Sequence, residues 1–174
     1  SKPLILVSND DGITSNGIRK LVELMSTLGE VIVVAPNSPQ SGMGHAITVG
    51  DTLRLTENRL FGPEIKAYEC SGTPADCVKL AKHHLLKDRK PDLVVSGINH
   101  GSNTSISVLY SGTMSAAIEA AIEGTPAIGF SLCDYDSDAL LEHFDEQIIK
   151  ITKETLTKGM PKGIALNVNI PAKQ

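Results

Sequence analysis

The sequence contains no tryptophan and few other aromatic residues. Three Tyr and three Phe occur in 174 residues. Proteins that bind single-stranded nucleic acid without sequence preference stack its bases on aromatic side chains. The formal net charge of −4 also gives no positive excess that would hold a phosphate backbone. The composition therefore argues against a nucleic-acid polymer as a partner.

Cysteine is also scarce, and long apolar runs are absent. Cys70, Cys77 and Cys133 are odd in number, and none belongs to a Cys-x-x-Cys motif. This spacing indicates reduced thiols rather than a disulfide framework or a zinc site. No apolar run reaches the length of a membrane span, and no signal peptide is recognisable. We therefore expect a cytoplasmic protein that makes no membrane contact.

The residues that are present are those of an ordinary globular protein. Hydrophobic residues make up 41% of the chain and charged residues 21%. A chain of this length can bury a sizeable core, so we expect residues 1–174 to form a single domain.

The most informative stretch is the first apolar run. Residues 4–7 are apolar without interruption, which indicates a strand buried on both faces of a parallel sheet. The run leads directly into Asn9, Asp10, Asp11 and Gly12. Ligands bind at the carboxyl ends of such strands, and two adjacent carboxylates repel each other unless a cation neutralises them. A hard divalent cation would suit these oxygens, although the four residues also favour a simple turn.

The order of the remaining elements predicts the fold. An amphipathic helix and a second apolar strand at residues 31–35 follow, which together give the β-α-β unit of a doubly wound sheet. Further strands at 93–95, 127–130 and 163–170 alternate with helical stripes. We predict a three-layer α/β sandwich with a Rossmann-like, mostly parallel sheet. Weaker alternation over residues 45–69 predicts a small β-rich flap beside that sheet.

Two further strands deliver polar loops to the same predicted edge. Ser41 lies in the loop after the second strand, and Asn99 and Asn103 lie after the strand at 93–95. With Asp10 and Asp11 these residues form an all-oxygen set, which suits Mg²⁺, Mn²⁺ or Ca²⁺ and does not suit zinc.

A predicted helix terminus adds a candidate anion-binding site to these oxygen ligands. Ser111, Gly112 and Thr113 precede a helical stripe, and the N–H groups at such a terminus can hold an anion. Simple N-capping is the alternative explanation for the two hydroxyl residues. A divalent metal beside an anion-binding terminus suggests phosphate-ester chemistry.

Other phosphate-binding motifs are missing. No Gly-x-Gly-x-x-Gly follows the first strand, no Gly-Lys-Ser/Thr completes a P-loop, and no Gly-x-Ser-x-Gly elbow occurs. Rossmann dinucleotide binding, P-loop NTPase chemistry and α/β-hydrolase chemistry are therefore excluded.

Six segments occur in order from the first strand to the end of the chain. They are residues 8–13, 35–36 with 41–45, 71–77, 96–101, 110–113 and 166–171. Together these segments resemble the successive motifs of SurE, the stationary-phase survival protein family of metal-dependent nucleotidases.

The resemblance implies an activity and a set of site residues. It implies a 5′/3′-nucleotidase, a phosphatase that hydrolyses nucleoside 5′- and 3′-monophosphates with one Mg²⁺ or Mn²⁺ ion per subunit. Residues matching the family's metal ligands are Asp10, Asp11, Ser41 and Asn99. Residues matching its phosphate pocket are Asn9, Asn103, Ser111, Gly112 and Thr113. The catalytic set would be Asp10, Asp11, Asn103 and Ser111.

The resemblance also implies an assembly. Family members continue into a C-terminal region that makes subunit contacts and covers the site, whereas this sequence ends at Gln174. A homodimer or homotetramer is therefore expected. Two other functions stay open: an exopolyphosphatase-type phosphohydrolase, and a non-catalytic module that binds nucleotide or phosphate. The sequence also leaves open whether a carboxylate or a water molecule attacks phosphorus.

Overall fold

The computed structural model describes residues 1–39, 52–101, 111–134 and 142–171. The strands are β1 Leu4–Ser8, β2 Glu30–Pro36, β3 Leu55–Asn58, β4 Lys66–Cys70, β5 Leu93–His100, β6 Ala127–Leu132 and β7 Ala165–Ile170. The α-helices are α1 Asn16–Ser26, α2 Pro74–Leu80, α3 Gly112–Ile122 and α4 Asp145–Lys158. A π-helical turn, Ala81–Leu85, continues α2, and a 3-10 turn, Glu142–Phe144, precedes α4.

All these strands belong to one sheet of order β3-β4-β2-β1-β5-β6-β7. Every pairing is parallel except that of β3 with β4. Strand β1 lies at the centre, and all five of its residues are buried. Because β2 and β5 flank β1 in parallel, the carboxyl ends of these three strands lie side by side.

Side chains of alternate strand residues belong to two separate hydrophobic cores, one on each face of the sheet. Val7 packs in the core on the face that carries α1 and α4, whereas Leu6 packs in the core beneath α2 and α3. Side chains of successive strand residues point to opposite faces, which is why uninterrupted apolar runs are needed here. The predicted three-layer sandwich with a mostly parallel sheet is confirmed.

The helices begin where the sequence places capping residues. The Ser15 side chain accepts a hydrogen bond from the Ile18 backbone N–H and so caps α1. Thr73 and Asp76 form a reciprocal capping box at the start of α2, with Pro74 in the first turn. These caps fix the entry of both helices beside the carboxyl edge of the sheet.

The predicted flap has a different form in the structure. Its described part contains β3 and β4, and β4 pairs in parallel with β2 from Ile32↔Lys66 to Pro36↔Cys70. These strands therefore extend the main sheet and do not form a separate layer. The reason is that Ala67 and Cys70 are buried in the two cores, which draws β4 against β2.

No helix within residues 1–39, 52–101, 111–134 or 142–171 is both long enough and apolar enough to cross a membrane.

The two cores predict a contrast between two isoleucines. Ile128 in β6 is 0% exposed, whereas Ile122 at the end of α3 is 69% exposed. Ile128→Ala should lower the free energy of unfolding by roughly 2–5 kcal/mol, because it removes buried methyl groups and leaves a cavity. Ile122→Ala should change it by no more than about 0.5 kcal/mol. Urea unfolding followed by circular dichroism measures both, and equal losses would contradict this assignment of the core.

Candidate active site

The candidate site lies at the carboxyl ends of β1, β2 and β5. The backbone N–H of Ile13 donates to the carbonyl oxygen of Pro36 over 2.9 Å, which ties the loop after β1 to the end of β2. Gly12 has φ = +99°, a conformation that side-chain-bearing residues rarely adopt, and an added Cβ would lie 3.5 Å from the Ser38 carbonyl carbon. The turn after Asp11 therefore depends on glycine.

Asp10 is bound by the N-terminus of α3. The Thr113 hydroxyl donates to Asp10 Oδ1 over 2.9 Å, and the Thr113 backbone N–H also donates to this carboxylate. Asp10 is 5% exposed, and burial raises its pKa, although these hydrogen bonds oppose the rise. The helix dipole adds a partial positive charge at the same end. The helix terminus therefore already binds an anion, which is the protein's own Asp10 carboxylate.

Gly112 makes this contact possible. A Cβ at position 112 would lie 2.5 Å from the Asp10 Cβ, closer than real side chains pack. The helix terminus can approach the aspartate only because residue 112 has no side chain.

Asp11 lies beside Asp10 but is less well supported. Burial, and after it the charge of Asp10, raises the pKa of Asp11 to about 6. Within the described part of the chain, its buried Oδ2 has no hydrogen-bond partner. Two carboxylates at close range, one with an unpaired buried oxygen, form a site that favours a positive charge.

Asn9 is held by the loop that follows it. Its Nδ2 donates to the Gly12 carbonyl oxygen over 2.8 Å and to Ser15 Oγ over 2.9 Å. Asn9 is 1% exposed, and its Oδ1 has no partner among the described residues. The side chain is therefore fixed by its amide nitrogen and presents only a carbonyl oxygen.

Asn99 lies at the end of β5, after an irregularity in the pairing of β5 with β6 between Ser96 and Asn99. Its Nδ2 donates to the Gly101 carbonyl oxygen over 3.2 Å. Bulges of this kind re-aim side chains beside active sites. As in Asn9, the amide nitrogen is held by a glycine carbonyl of its own loop.

Ser111 is the N-cap of α3. Its Oγ accepts from the Met114 backbone N–H over 3.2 Å, and its carbonyl oxygen accepts from the Ser115 N–H over 2.9 Å. The capping explanation therefore describes one use of its oxygen, while its hydroxyl proton stays available to a ligand. A phosphate role for Ser111, Gly112 and Thr113 stays a prediction.

The structure brings Asn9, Asp10 and Asp11 together with the terminus Ser111–Thr113 through the contacts to Asp10. Asn99 lies on the neighbouring strand, three residues beyond the pair Ser8↔Ser96. The predicted residues Ser41 and Asn103 lie outside the described residues.

The described residues fit a hard cation. Asp11 Oδ2 and Asn9 Oδ1 are buried acceptors that lack a donor, and a cation or water would satisfy them. No cluster of three His, Cys, Asp or Glu side chains suited to a metal occurs in the part of the chain that the structure describes. A metal at this edge would therefore need amide or hydroxyl oxygens to complete its shell, which suits Mg²⁺ or Mn²⁺.

Sequence reasoning missed two residues that shape the site. Ser15 links Asn9 to the first turn of α1, and its position just before the apolar stripe of α1 was the available signal. Gly17 lets α1 approach β5 closely, since an added Cβ would lie 2.0 Å from the Ile98 carbonyl oxygen. No local pattern signals that second contact, because it depends on how the helix crosses the sheet.

Comparison with known proteins identifies the family. The family described as "Survival protein SurE" matches residues 5–174. This chain belongs to the SurE family. A relative from Cytophaga hutchinsonii named "5'-nucleotidase SurE" is 74% identical over 172 residues, which cover 99% of this chain and 66% of the relative. A Bacteroides thetaiotaomicron protein of the same name is 51% identical over 172 residues, or 98% of this chain and 65% of that protein.

Solved SurE structures share the fold. The crystal structure of SurE from Aquifex aeolicus has a TM-score of 0.87 and 41% sequence identity to this chain. The match covers 99% of this chain and 67% of that chain. The chain thus spans about two thirds of the length of the curated SurE relatives that it matches.

The contact between Thr113 and Asp10 predicts a pH-dependent loss of stability. Thr113→Val keeps the shape of the side chain and removes the donor, so the buried carboxylate loses a hydrogen bond. Unfolding free energy at neutral pH should fall by about 1–3 kcal/mol. The loss should fade as the pH falls and Asp10 becomes protonated, because the ionised form is the one that needs the donor. Thr113→Ser keeps the hydroxyl and is the control, and a loss independent of pH would contradict the role.

Asp11 predicts a second pH effect, measured in chelator. Its pKa is raised from 3.8 to about 6, so the folded protein binds this proton more tightly than the unfolded chain does. Its contribution to stability is therefore present below pH 4 and is lost as the pH rises to about 6. Asp11→Asn should remove this part of the pH dependence of the melting temperature. The wild type measured under the same conditions is the reference, and an unaltered profile for Asp11→Asn would contradict the assignment.

Proposed function

We propose that this protein is a divalent-metal-dependent phosphomonoesterase that hydrolyses nucleoside 5′- and 3′-monophosphates to nucleoside and phosphate. The observation that carries the proposal is the relative named "5'-nucleotidase SurE", which is 74% identical over 99% of this chain. The pair Asp10 and Asp11 beneath a helix terminus supports it chemically, because the acceptors left unpaired there suit a cation.

The charges around the site support a metal requirement. The sequences 8–17, 36–51 and 96–113, which include the loops after β1, β2 and β5, contain no Lys or Arg. An anionic phosphate entering beside two carboxylates would therefore meet net repulsion. A bound divalent cation would reverse that field and stabilise charge on the phosphoryl oxygens. Its proposed ligands are Asp10, Asp11, Ser41 and Asn99.

The same observation argues against an exopolyphosphatase. A long polyanion would need extra cationic side chains along a channel. Basic residues of the segment 82–90 instead line two clefts, of which one also contains Leu4 and Glu30, at the amino ends of β1 and β2, and the other contains Pro91, just before β5. These side chains lie at the edge opposite to the candidate site.

The phosphate pocket would use the remaining donors of the α3 terminus. The donors proposed for it are the Ser111 hydroxyl proton and the Gly112 backbone N–H, because the N–H groups of Thr113 and Met114 are already used. We place Asn103 in the same pocket, as in the sequence prediction. Hydrogen bonds from such donors stabilise charge that develops on phosphoryl oxygens.

The wider biological setting is also a proposal. We propose a homodimer or homotetramer in the cytoplasm, with nucleoside monophosphates as small-molecule partners. Light scattering on the purified protein measures the assembly, and a monomer at all concentrations would exclude it.

A phosphate-release assay tests the function. The protein should release phosphate from nucleoside 5′- and 3′-monophosphates with Mg²⁺ or Mn²⁺, and EDTA should abolish the release. Asp10→Asn should abolish turnover by weakening the cation, yet leave the melting temperature in chelator unchanged or raised, because it removes one of two repelling charges.

The controls separate the competing functions. Short polyphosphate in place of nucleotide tests the exopolyphosphatase, and calorimetry with a nucleotide tests a binding module that lacks turnover. Full activity in chelator would exclude the metal, and binding without turnover would exclude the enzyme. If the Asp10→Asn variant unfolds, Asp10 is needed for folding. That result would favour the interpretation of residues 9–12 as a simple turn over their interpretation as a cation site.

A further inference from the structure

The side chain of Asn9 raises a question that the phosphate-pocket prediction does not answer. A residue that binds a phosphoryl oxygen must donate a hydrogen bond, because an ionised phosphate oxygen is an acceptor. An asparagine donates only through Nδ2, which carries two N–H bonds. In this structure both of them are already engaged, by the Gly12 carbonyl oxygen at 2.8 Å and by Ser15 Oγ at 2.9 Å.

The orientation of the amide is determined by its surroundings. If the nitrogen and oxygen of Asn9 exchanged places, Oδ1 would face the Gly12 carbonyl oxygen, and two acceptors would lie at hydrogen-bond distance without a proton between them. Ser15 adds to this constraint, since its Oγ also receives the Ile18 N–H at the start of α1. The nitrogen of Asn9 is therefore turned toward its own loop and helix.

The oxygen of Asn9 is left as a buried acceptor. Asn9 is 1% exposed, and its Oδ1 has no donor among the described residues. An unpaired buried acceptor is destabilising and marks a place where a ligand or water completes the structure. Asp11 Oδ2, two residues along the same loop, is in the same condition. Both atoms are acceptors, so whatever satisfies them must offer hydrogen atoms or positive charge.

We propose that Asn9 holds the attacking water of the hydrolysis through Oδ1, and does not bind the phosphate. This inference rests on the proposed phosphomonoesterase function. A water that donates its hydrogen atoms to protein acceptors turns a lone pair toward phosphorus, which is the orientation that attack requires. The water oxygen forms the new P–O bond while the ester P–O bond breaks. The products hold all its atoms: its oxygen and one proton stay on phosphate, and its other proton ends on the nucleoside oxygen.

The test compares three properties of Asn9→Ala with the wild type. Turnover (kcat) should fall by roughly 10- to 100-fold, which corresponds to about 1.4–2.7 kcal/mol in the activation free energy. The affinity for inorganic phosphate, measured as a competitive inhibitor, should stay within about twofold, because no phosphate contact is lost. The affinity for Mn²⁺, measured by calorimetry without substrate, should also stay within about twofold. Ser15→Ala is the matched control, since it removes one of the two contacts of Nδ2 while the Gly12 carbonyl oxygen still holds the amide and keeps Oδ1 in place.

Partitioning between water and an added alcohol separates a positioning role from a merely structural one. With methanol present, nucleoside release measures total turnover and phosphate release measures attack by water. Asn9→Ala should shift the ratio toward methyl phosphate, because water loses its fixed place, whereas Ser15→Ala should keep the wild-type ratio. A tenfold loss of phosphate affinity in Asn9→Ala would overturn the proposal in favour of a phosphate donor. A tenfold loss of Mn²⁺ affinity would overturn it in favour of a metal ligand.

A second measurement needs no variant and no turnover. In ¹⁵N-labelled wild-type protein with Mg²⁺, the side-chain NH₂ signals of Asn9 should be protected from solvent exchange and should not shift when inorganic phosphate is added. A shift that saturates with phosphate would overturn the proposal even if Asn9→Ala does not fold. If the wild type releases phosphate from no nucleotide, the proposed function fails, while this measurement still decides whether the amide donates to phosphate.

Discussion

A buried carboxylate bound to a helix terminus organises this protein. Thr113 and Asp10 are 103 residues apart in sequence, and their hydrogen bond joins the loop after β1 to the start of α3. Burial opposes the charge of Asp10, while the donors of the helix terminus favour it. Because α3 also packs on the sheet through Met114 and Ala117, the position of the carboxylate follows from the packing of a whole helix. The charge of the site and the core of the fold therefore depend on the same contact.

Two glycines allow helices to pack closely at this edge of the sheet. Gly112 meets Asp10, and Gly17 meets the Ile98 carbonyl oxygen, each at a distance that a side chain would prevent. Helices α3 and α1 thus pack closely beside the site, on opposite faces of the sheet. Side chains then complete it by hydrogen bonds to glycine carbonyls, as Asn9 does with Gly12 and Asn99 with Gly101. The arrangement presents carbonyl and carboxylate oxygens and keeps the amide nitrogens turned away.

Local chemistry explains which features the sequence predicted well. The buried strand before Asn9, the capping box of Thr73 with Asp76 and the alternation of strands and helices all depend on neighbours in sequence, and the structure contains each of them. The pairing of β4 with β2 and the direction of the Asn9 amide depend on groups brought together by folding. Patterns of hydrophobicity carry no information about which acceptor a given N–H meets, so the roles within the proposed phosphate and metal pockets were the least predictable part.

The close glycine contacts have a consequence for protein engineering. Positions 17 and 112 offer no side chain to exchange, and a Cβ at either would clash with a neighbouring group, so neither position can be varied without moving a helix. Diversity introduced by random mutagenesis would have to enter at other positions, such as the sequence segments 37–51 and 101–110, which hold Ser, Asn, His and Gly. Variants selected from such a library should therefore keep both glycines.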